Sequence, residues 1–307
     1  MAELEVLHEA VVGEDEIDEL GHMNVRFYLV KALAGTRVLS DRVGLSVDEC
    51  ADLGCVLDLR DAYTRHKAEQ MVGARLEVRG GVLDVRADGI RLYHDLVNPE
   101  RGELAASFVH ELVLCDRESR APRPLPENVA ERAGAGRVDW PEHGRPRTID
   151  LEKAPPAPPL SLLRDRDLAM RKERVIGADE CDADGSYVAD RYQELFWAGE
   201  PARPRESESW LIELGNGSKM GWATLESRGV LHRLPRVGAR IQSFGAEVEL
   251  AAKTSYRHHW VFDVDSGDLL CTSSIVNLAF DIGARRAIEI PDHVRAGVEG
   301  IYHPDLL

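Results

Sequence analysis

Between Asp18 and Tyr28 the chain reads Asp-Glu-Leu-Gly-His-Met-Asn-Val-Arg-Phe-Tyr. Seven residues gather a carboxylate (Asp18), a glycine turn (Gly21), an imidazole (His22) and an amide (Asn24), and an apolar run follows at once. Asn24 is a good N-cap, so the spacing predicts a helix over 25–40. Phe27, Val30, Ala34 and Val38 fall on one face of it, with Leu29 and Leu33 beside them. A helix this apolar on most sides is expected to be buried. Reactive groups then stand at the mouth of a buried helix, whose free N–H groups and positive dipole end face whatever docks there. That arrangement suits polarising a carbonyl oxygen.

The elements that must hold this loop follow from the changing period of the sequence. Residues 4–17 mix valines with acidic residues and read as a strand feeding Asp18. Gly44 is placed to stop the helix, and Ser46 with Glu49 forms a capping-box pattern for a short helix to Leu53. From Cys55 the period becomes two. Strands are expected near 56–68, 74–85, 89–98 and 103–115, broken at Gly73, Asp88–Gly89 and Pro99–Gly102. One helix followed by an antiparallel meander is an α+β pattern.

The totals narrow the class. With 307 residues there is room for two domains, and 44% hydrophobic with 30% charged residues describes a soluble globular protein. A formal charge of −16 and a pI near 5.2 disfavour nucleic acid and anionic membranes as partners. The first residues carry no basic stretch ahead of an apolar core, and no run is long enough to cross a bilayer, so a cytoplasmic location is expected. Five scattered cysteines without a C-x-x-C pair read as buried free thiols, with no zinc site. Neither a G-x-S-x-G elbow nor a phosphate-binding glycine loop occurs.

Residues 134–165, rich in Gly, Arg and Pro and containing Ala154-Pro-Pro-Ala-Pro-Pro159, read as an extended linker. It would separate a unit at 1–133 from a second at 166–307. Beyond it the chain repeats itself. Val72-Gly-Ala-Arg75 recurs as Val237-Gly-Ala-Arg240, a shift of 165, and Gly102, Asp116, Arg120 and Pro126 fall on Gly267, Asp281, Arg285 and Pro291. At a shift of 164, Asp18, Gly21 and Tyr28 fall on Asp182, Gly185 and Tyr192. Ordered matches along a whole unit, with glycines at the same turns, indicate an internal duplication.

The Asp18 stretch resembles the D-x-x-G-H-x-N-x-x-x-Y motif of hotdog-fold acyl-CoA thioesterases, the 4-hydroxybenzoyl-CoA thioesterase/YbgC-like group, at Asp18, Gly21, His22, Asn24 and Tyr28. The resemblance implies a double hotdog, two tandem units each with a long central helix wrapped by an antiparallel sheet. One chain would then mimic the usual homodimer as an intrachain pseudo-dimer, with further homo-oligomerisation left open. It also implies hydrolysis of an acyl-CoA thioester with no metal or redox cofactor. Asp18 takes the place of the catalytic carboxylate, as general base or nucleophile, and backbone N–H groups around His22 to Asn24 meet the oxyanion.

His22 either serves the chemistry or shapes the turn. Plant acyl-carrier thioesterases have a similar Asp-x-Asn-x-His loop, but this chain has Leu20 at the Asn position. Asn24 caps the helix and could orient Asp18. Glu69 is a second candidate carboxylate, four residues before Gly73, where relatives read Tyr-Leu-x-Glu ahead of Gly-Asp and this chain reads Arg65-His-Lys-Ala-Glu69. Gly21, Met23 and Tyr28 are the candidate substrate contacts, with packing the stronger reading for Tyr28. The second unit keeps Asp182 and Gly185 but has Ser186, Tyr187 and Val188 in place of His, Met and Asn, which suggests a degenerate site. A helix over about 188–199, adding Glu194, Phe196 and Trp197, is expected there. The Gly-His-Met-Asn loop resembles that of enzymes for short polar acyl-CoAs such as betainyl-CoA, and four of five tryptophans lie in the second half. Two rival functions stay open: a hotdog hydratase or dehydratase, and a non-catalytic acyl-CoA-binding protein.

Overall fold

A computed structural model describes residues 4–197, 199–202, 211–215, 217–299 and 301–307. The chain divides into two compact units, Met1–Pro146 and Arg147–Leu307. In the first, β1 (Glu5–Val11) leads into the Asp18 loop, and α1 (Val25–Val43) and α2 (Val47–Asp52) follow. The meander is β2 (Cys55–His66), β3 (Arg75–Val85), β4 (Gly89–Asn98) and β5 (Glu103–Asp116), after which comes α3 (Glu127–Ala135). These strands make an antiparallel sheet in the order β1-β3-β4-β5-β2.

The expected caps operate. Asn24 accepts the Arg26 N–H at 3.0 Å, Ser46 and Glu49 close a capping box, and Gly44 ends α1 in the left-handed region at φ 88°. The buried face of α1 differs from the expected one. Leu29, Ala32, Gly35, Thr36, Leu39 and Val43 go inward, while Phe27, Val30, Ala34 and Val38 are only half-buried. Small residues decide this. A Cβ on Gly35 would lie 2.6 Å from Val78 Cγ1, so at Gly35 the helix approaches the sheet more closely than a side chain there would allow.

That close approach also encloses polar groups. The Thr36 hydroxyl lies 2.9 Å from His94 Nε2 and 2.8 Å from His110 Nδ1, and both histidines are fully buried. Burial pushes His110 down to about 3 and His94 well below the ordinary histidine range, so both are neutral in the folded protein.

Residues 134–165 do not stand clear of the units as a spacer. On the first unit, Val138 is buried and donates its N–H to Val82 O, and Arg65 donates to the carbonyls of His143 and Arg145. From Arg147 the segment packs on the second unit. The Glu226 carboxylate accepts the N–H groups of Arg147, Thr148 and Ile149, and Arg228 donates to the carbonyls of Asp150, Leu151 and Lys153. An extended proline-rich backbone leaves its carbonyls unpaired, and buried arginines and Trp260 Nε1, which reaches Pro156 O, satisfy them.

The second unit runs α4 (Leu160–Arg164), β6 (Ala169–Met170), β7 (Arg174–Val175), α5 (Glu194–Trp197), β8 (Leu211–Glu213), β9 (Lys219–Leu231), β10 (Arg240–Leu250), β11 (Thr254–Asp263), β12 (Leu269–Asp281), β13 (Arg286–Ala287) and α6 (Asp292–Glu299). Its main strands pair β10-β11-β12-β9, the order of β3-β4-β5-β2. The irregularities repeat too. Bulges at 82/84, 59/61 and 96/97 recur at 247/249, 224/226 and 261/262, each shifted by 165. Arg120 (φ 58°) and Arg285 (φ 50°), also 165 apart, are the non-glycine residues with positive φ among those described. Bulges and strained turns are specific features, and their recurrence in register establishes the duplication.

The helix expected over 188–199 is much shorter. A 3-10 turn at Ala189–Arg191 and the four-residue α5 replace it, Gly199 turns at φ 96°, and Pro201 follows; Ala198 lies outside the described residues, as does Trp210 among the tryptophans. A left-handed glycine and a proline stop the helix where α1 continues through Gly35-Thr-Arg37. The cysteines are free, four buried and Cys181 half-buried. No helix among the described residues is long and apolar enough to cross a membrane.

Candidate active site

The Asp18 loop closes on itself before α1 begins. Asp18 N–H donates to His22 O at 2.9 Å, Gly21 N–H to Asp18 O at 3.0 Å, and Leu20 N–H to the Asp18 side chain at 2.9 Å. Gly21 sits at φ 83°, which the turn requires. The ring of His22 is thereby placed between two carboxylates: its Nδ1 is 3.2 Å from Asp18 Oδ2 and its Nε2 is 3.6 Å from Glu69 Oε1. The side chains of Asp18, His22 and Glu69 are 23%, 17% and 38% exposed, so the cluster is open to solvent on one side and walled on the other. Three of the four residues named as catalytic candidates are therefore together. Asn24, the fourth, is occupied as the cap of α1.

The expected oxyanion donors change. Met23 N–H is taken by Gln70 O at 2.7 Å, and Asn24 N–H by Glu16 O at 2.9 Å. Among the described residues the N–H groups of His22 and Val25 have no hydrogen-bond partner, and they are the ones left to meet a ligand oxygen. Met23 and Tyr28, named as substrate contacts, lie in the core, 1% and 4% exposed. The Tyr28 hydroxyl donates to Ala68 O and accepts the Gln70 N–H. Burial, above all, pushes Tyr28 up to about 12, so its hydroxyl keeps its proton. Both residues hold the loop rather than face a ligand.

Three supports carry no local pattern in the sequence. Glu16 accepts the Asn24 N–H through its carbonyl, while its carboxylate takes Lys31 Nζ at 2.7 Å in a buried ion pair. Gln70, fully buried, reaches both the loop and the sheet. A signal existed for Glu16 alone, since the repeat places it on Glu180, whose carboxylate likewise pairs with a cation, Arg174.

The second unit reproduces the backbone of this loop without its side chains. Asp182 N–H donates to Ser186 O at 2.9 Å, Gly185 N–H to Asp182 O at 3.0 Å, Tyr187 N–H to Pro235 O and Val188 N–H to Glu180 O. Where the first unit has His22 and Glu69, the second has Ser186 and Leu234.

Substitutions at two positions test the scaffold. Asn24→Ala should cost about 1 kcal/mol of stability and Asn24→Ser almost none, read by urea unfolding, because serine restores the acceptor. Gly21→Ala meets no atom within 4 Å, so crowding does not arise, and its cost should be the left-handed strain of about 1–2 kcal/mol. Equal losses for both Asn24 variants, or no loss for Gly21→Ala, would contradict this account of the loop.

Comparison with known proteins bears on the family and the fold. Residues 12–133 match the family model described as the Thioesterase-like superfamily. Over 120 residues the chain is 33% identical to an L-carnitine dehydrogenase/betainyl-CoA thioesterase of Agrobacterium fabrum, a match covering 39% of this chain and 24% of that protein. The chain thus spans about a quarter of the length of that curated relative. Among solved structures, a 12:0-ACP thioesterase from Umbellularia californica aligns with TM-score 0.66 at 10% identity, covering 89% of this chain and 93% of that one. An acyl-ACP thioesterase from Bacteroides thetaiotaomicron aligns with TM-score 0.64 at 14% identity, covering 88% and 96%. At such identities the likeness speaks to fold alone, and the fold is a double hotdog. Residues 12–133 thus resemble the thioesterase-like superfamily, and the second unit is a diverged copy of the first.

Proposed function

We propose that this protein hydrolyses an acyl-CoA thioester to the free acid and coenzyme A at the mouth of α1. The observation that carries the reading is the cluster of Asp18, His22 and Glu69 beside unpaired backbone N–H groups. Cleaving a thioester needs an activated water or a carboxylate nucleophile, and it needs donors where the oxyanion forms. Asp18 supplies the first, as general base or nucleophile. The His22 and Val25 N–H groups supply the second, at the positive end of a 19-residue helix. Losing one such donor typically slows acyl transfer by about 10²–10³-fold. The superfamily match over residues 12–133 and the thioesterase name of the curated relative support the reaction class.

Thiol release from a panel of acyl-CoAs (acetyl, betainyl, benzoyl, decanoyl and crotonyl) tests the proposal. Release of free coenzyme A from at least one saturated member is expected. Hydration of the crotonyl ester without thiol release would replace hydrolysis by hydratase chemistry. Binding of the esters with no turnover would leave a non-catalytic acyl-CoA-binding protein.

A further inference from the structure

We propose that Gln70 is the positioning residue that holds the Asp18 loop and Glu69 in one working arrangement; this rests on the hydrolase reading. Gln70 is fully buried, and each of its four polar groups is engaged. Its carbonyl accepts the Met23 N–H at 2.7 Å, and its N–H donates to Tyr28 Oη at 3.1 Å. Its side-chain oxygen accepts from Asn98 Nδ2 at 2.9 Å, and its side-chain nitrogen donates to Glu103 Oε2 at 3.3 Å. The first two bonds attach it to the loop and α1, the last two to the ends of β4 and β5. The chain neighbours of these contacts are the reactive residues themselves: Met23 adjoins His22, and Gln70 adjoins Glu69. One residue thus ties together the two segments that meet at the imidazole, its backbone holding the loop and its side chain anchoring that backbone to the sheet.

The duplication separates what the fold needs from what the chemistry needs. At the matching position the second unit has Pro235, whose carbonyl still accepts the Tyr187 N–H. Proline has neither a backbone N–H nor a side-chain amide. The backbone bond from the loop is therefore common to both units and serves the fold. The amide network belongs to the unit whose loop carries an imidazole facing two carboxylates, and the copy without that cluster has dispensed with it.

Positioning of this kind predicts a loss in turnover without a matching loss in binding. Gln70→Met fills the same volume and keeps both backbone contacts, but it releases the side-chain anchor. We expect kcat to fall about 10–100-fold, since displacement of about 1 Å at a reacting group costs on this order, with KM within about twofold. Exchange of the Met23 amide should quicken by about tenfold or more as the loop loosens. In the Glu69→Gln background the same substitution should add little, because the two act as a unit. Glu103→Ala, which removes one anchor at the rim, should show a smaller loss of the same kind, and it carries the test if Gln70→Met fails to fold. Wild-type kcat and Met23 protection in both variants would overturn the proposal, as would losses that multiply fully with Glu69→Gln. The exchange arm needs no turnover. If the wild-type protein releases no thiol from any ester, the hydrolase reading fails while Met23 protection still decides whether Gln70 anchors the loop.

Discussion

Asp18→Asn should lower thioester hydrolysis by about 10²–10⁴-fold or more, the range for removing a general base or nucleophile, while Asp182→Asn stays within about twofold of wild type. The asparagine oxygen can still accept the Leu20 N–H that Asp18 accepts at 2.9 Å, so the loop should keep its shape and the loss should be chemical. In the second unit, burial first and then neighbouring Asp184 raise Asp182, which by itself would favour a base. What Asp182 lacks is the rest of the site. Its Oδ1 accepts the Ser186 N–H, position 186 offers no imidazole, and Leu234 stands where Glu69 would. The acyl-CoA panel run on both variants, with circular dichroism to confirm folding, checks this. Comparable losses from the two would mean two working sites and would overturn the single-site reading.

How much of this was legible depends on the range over which each feature is specified. The Asn24 cap, the Gly44 stop, the Ser46–Glu49 box and the meander's turns at Gly73 and Gly102 are set by residues within a turn of one another, and they appear as expected. The duplication was legible because strained turns tolerate few residue types, so glycines persist at the same offsets in both units. The buried stripe of α1 was not legible. Apolarity pointed to Phe27 and Val38, but closeness of approach is set by small residues, and Gly35 and Ala32 look unremarkable until Val78 is opposite. Gln70 stayed hidden for a related reason: a glutamine after a strand reads as surface, and only the fold brings Asn98, Glu103, Tyr28 and Met23 around it. In the second unit Gly199 and Pro201 override the repeat, so the helix that the pattern extends over 188–199 stops short. The composition of residues 134–165 marks an extended backbone but cannot report the buried Arg65, Glu226 and Arg228 that hold it.

The protein should lose stability steeply as pH falls below about 6.5, well before its exposed carboxylates titrate. Burial pushes His66 and His258 down to about 4 and His110 to about 3, and holds His94 and His259 well below the ordinary range. For each, the folded value lies below the unfolded value of about 6.5. The unfolded chain therefore takes up protons that the folded chain refuses, and stability complete above pH 6.5 is lost as pH descends towards the folded values. Each histidine adds a slope of about 1.4 kcal/mol per pH unit once below its unfolded value, and a few together approach the whole margin of about 5–15 kcal/mol for a domain. Glu247, raised by burial, binds its proton more tightly when folded and so partly opposes the trend. His259 gives the cleanest test. Neither of its ring nitrogens has a partner among the described residues, and its ring lies 4.5 Å from that of Trp197 and 5.7 Å from that of Phe196, centroid to centroid, beside Arg257. His259→Phe keeps an aromatic ring there and removes a buried proton acceptor, so it should raise the urea midpoint at pH 5 and flatten the slope between pH 6 and 5 by about 1.4 kcal/mol per pH unit. His94→Phe should instead destabilise at pH 7, because it strips a hydrogen bond from buried Thr36. A urea midpoint that holds steady from pH 7 to 4.5, or a His259→Phe protein with the full wild-type slope, would show that these histidines do not set the acid limit of the fold.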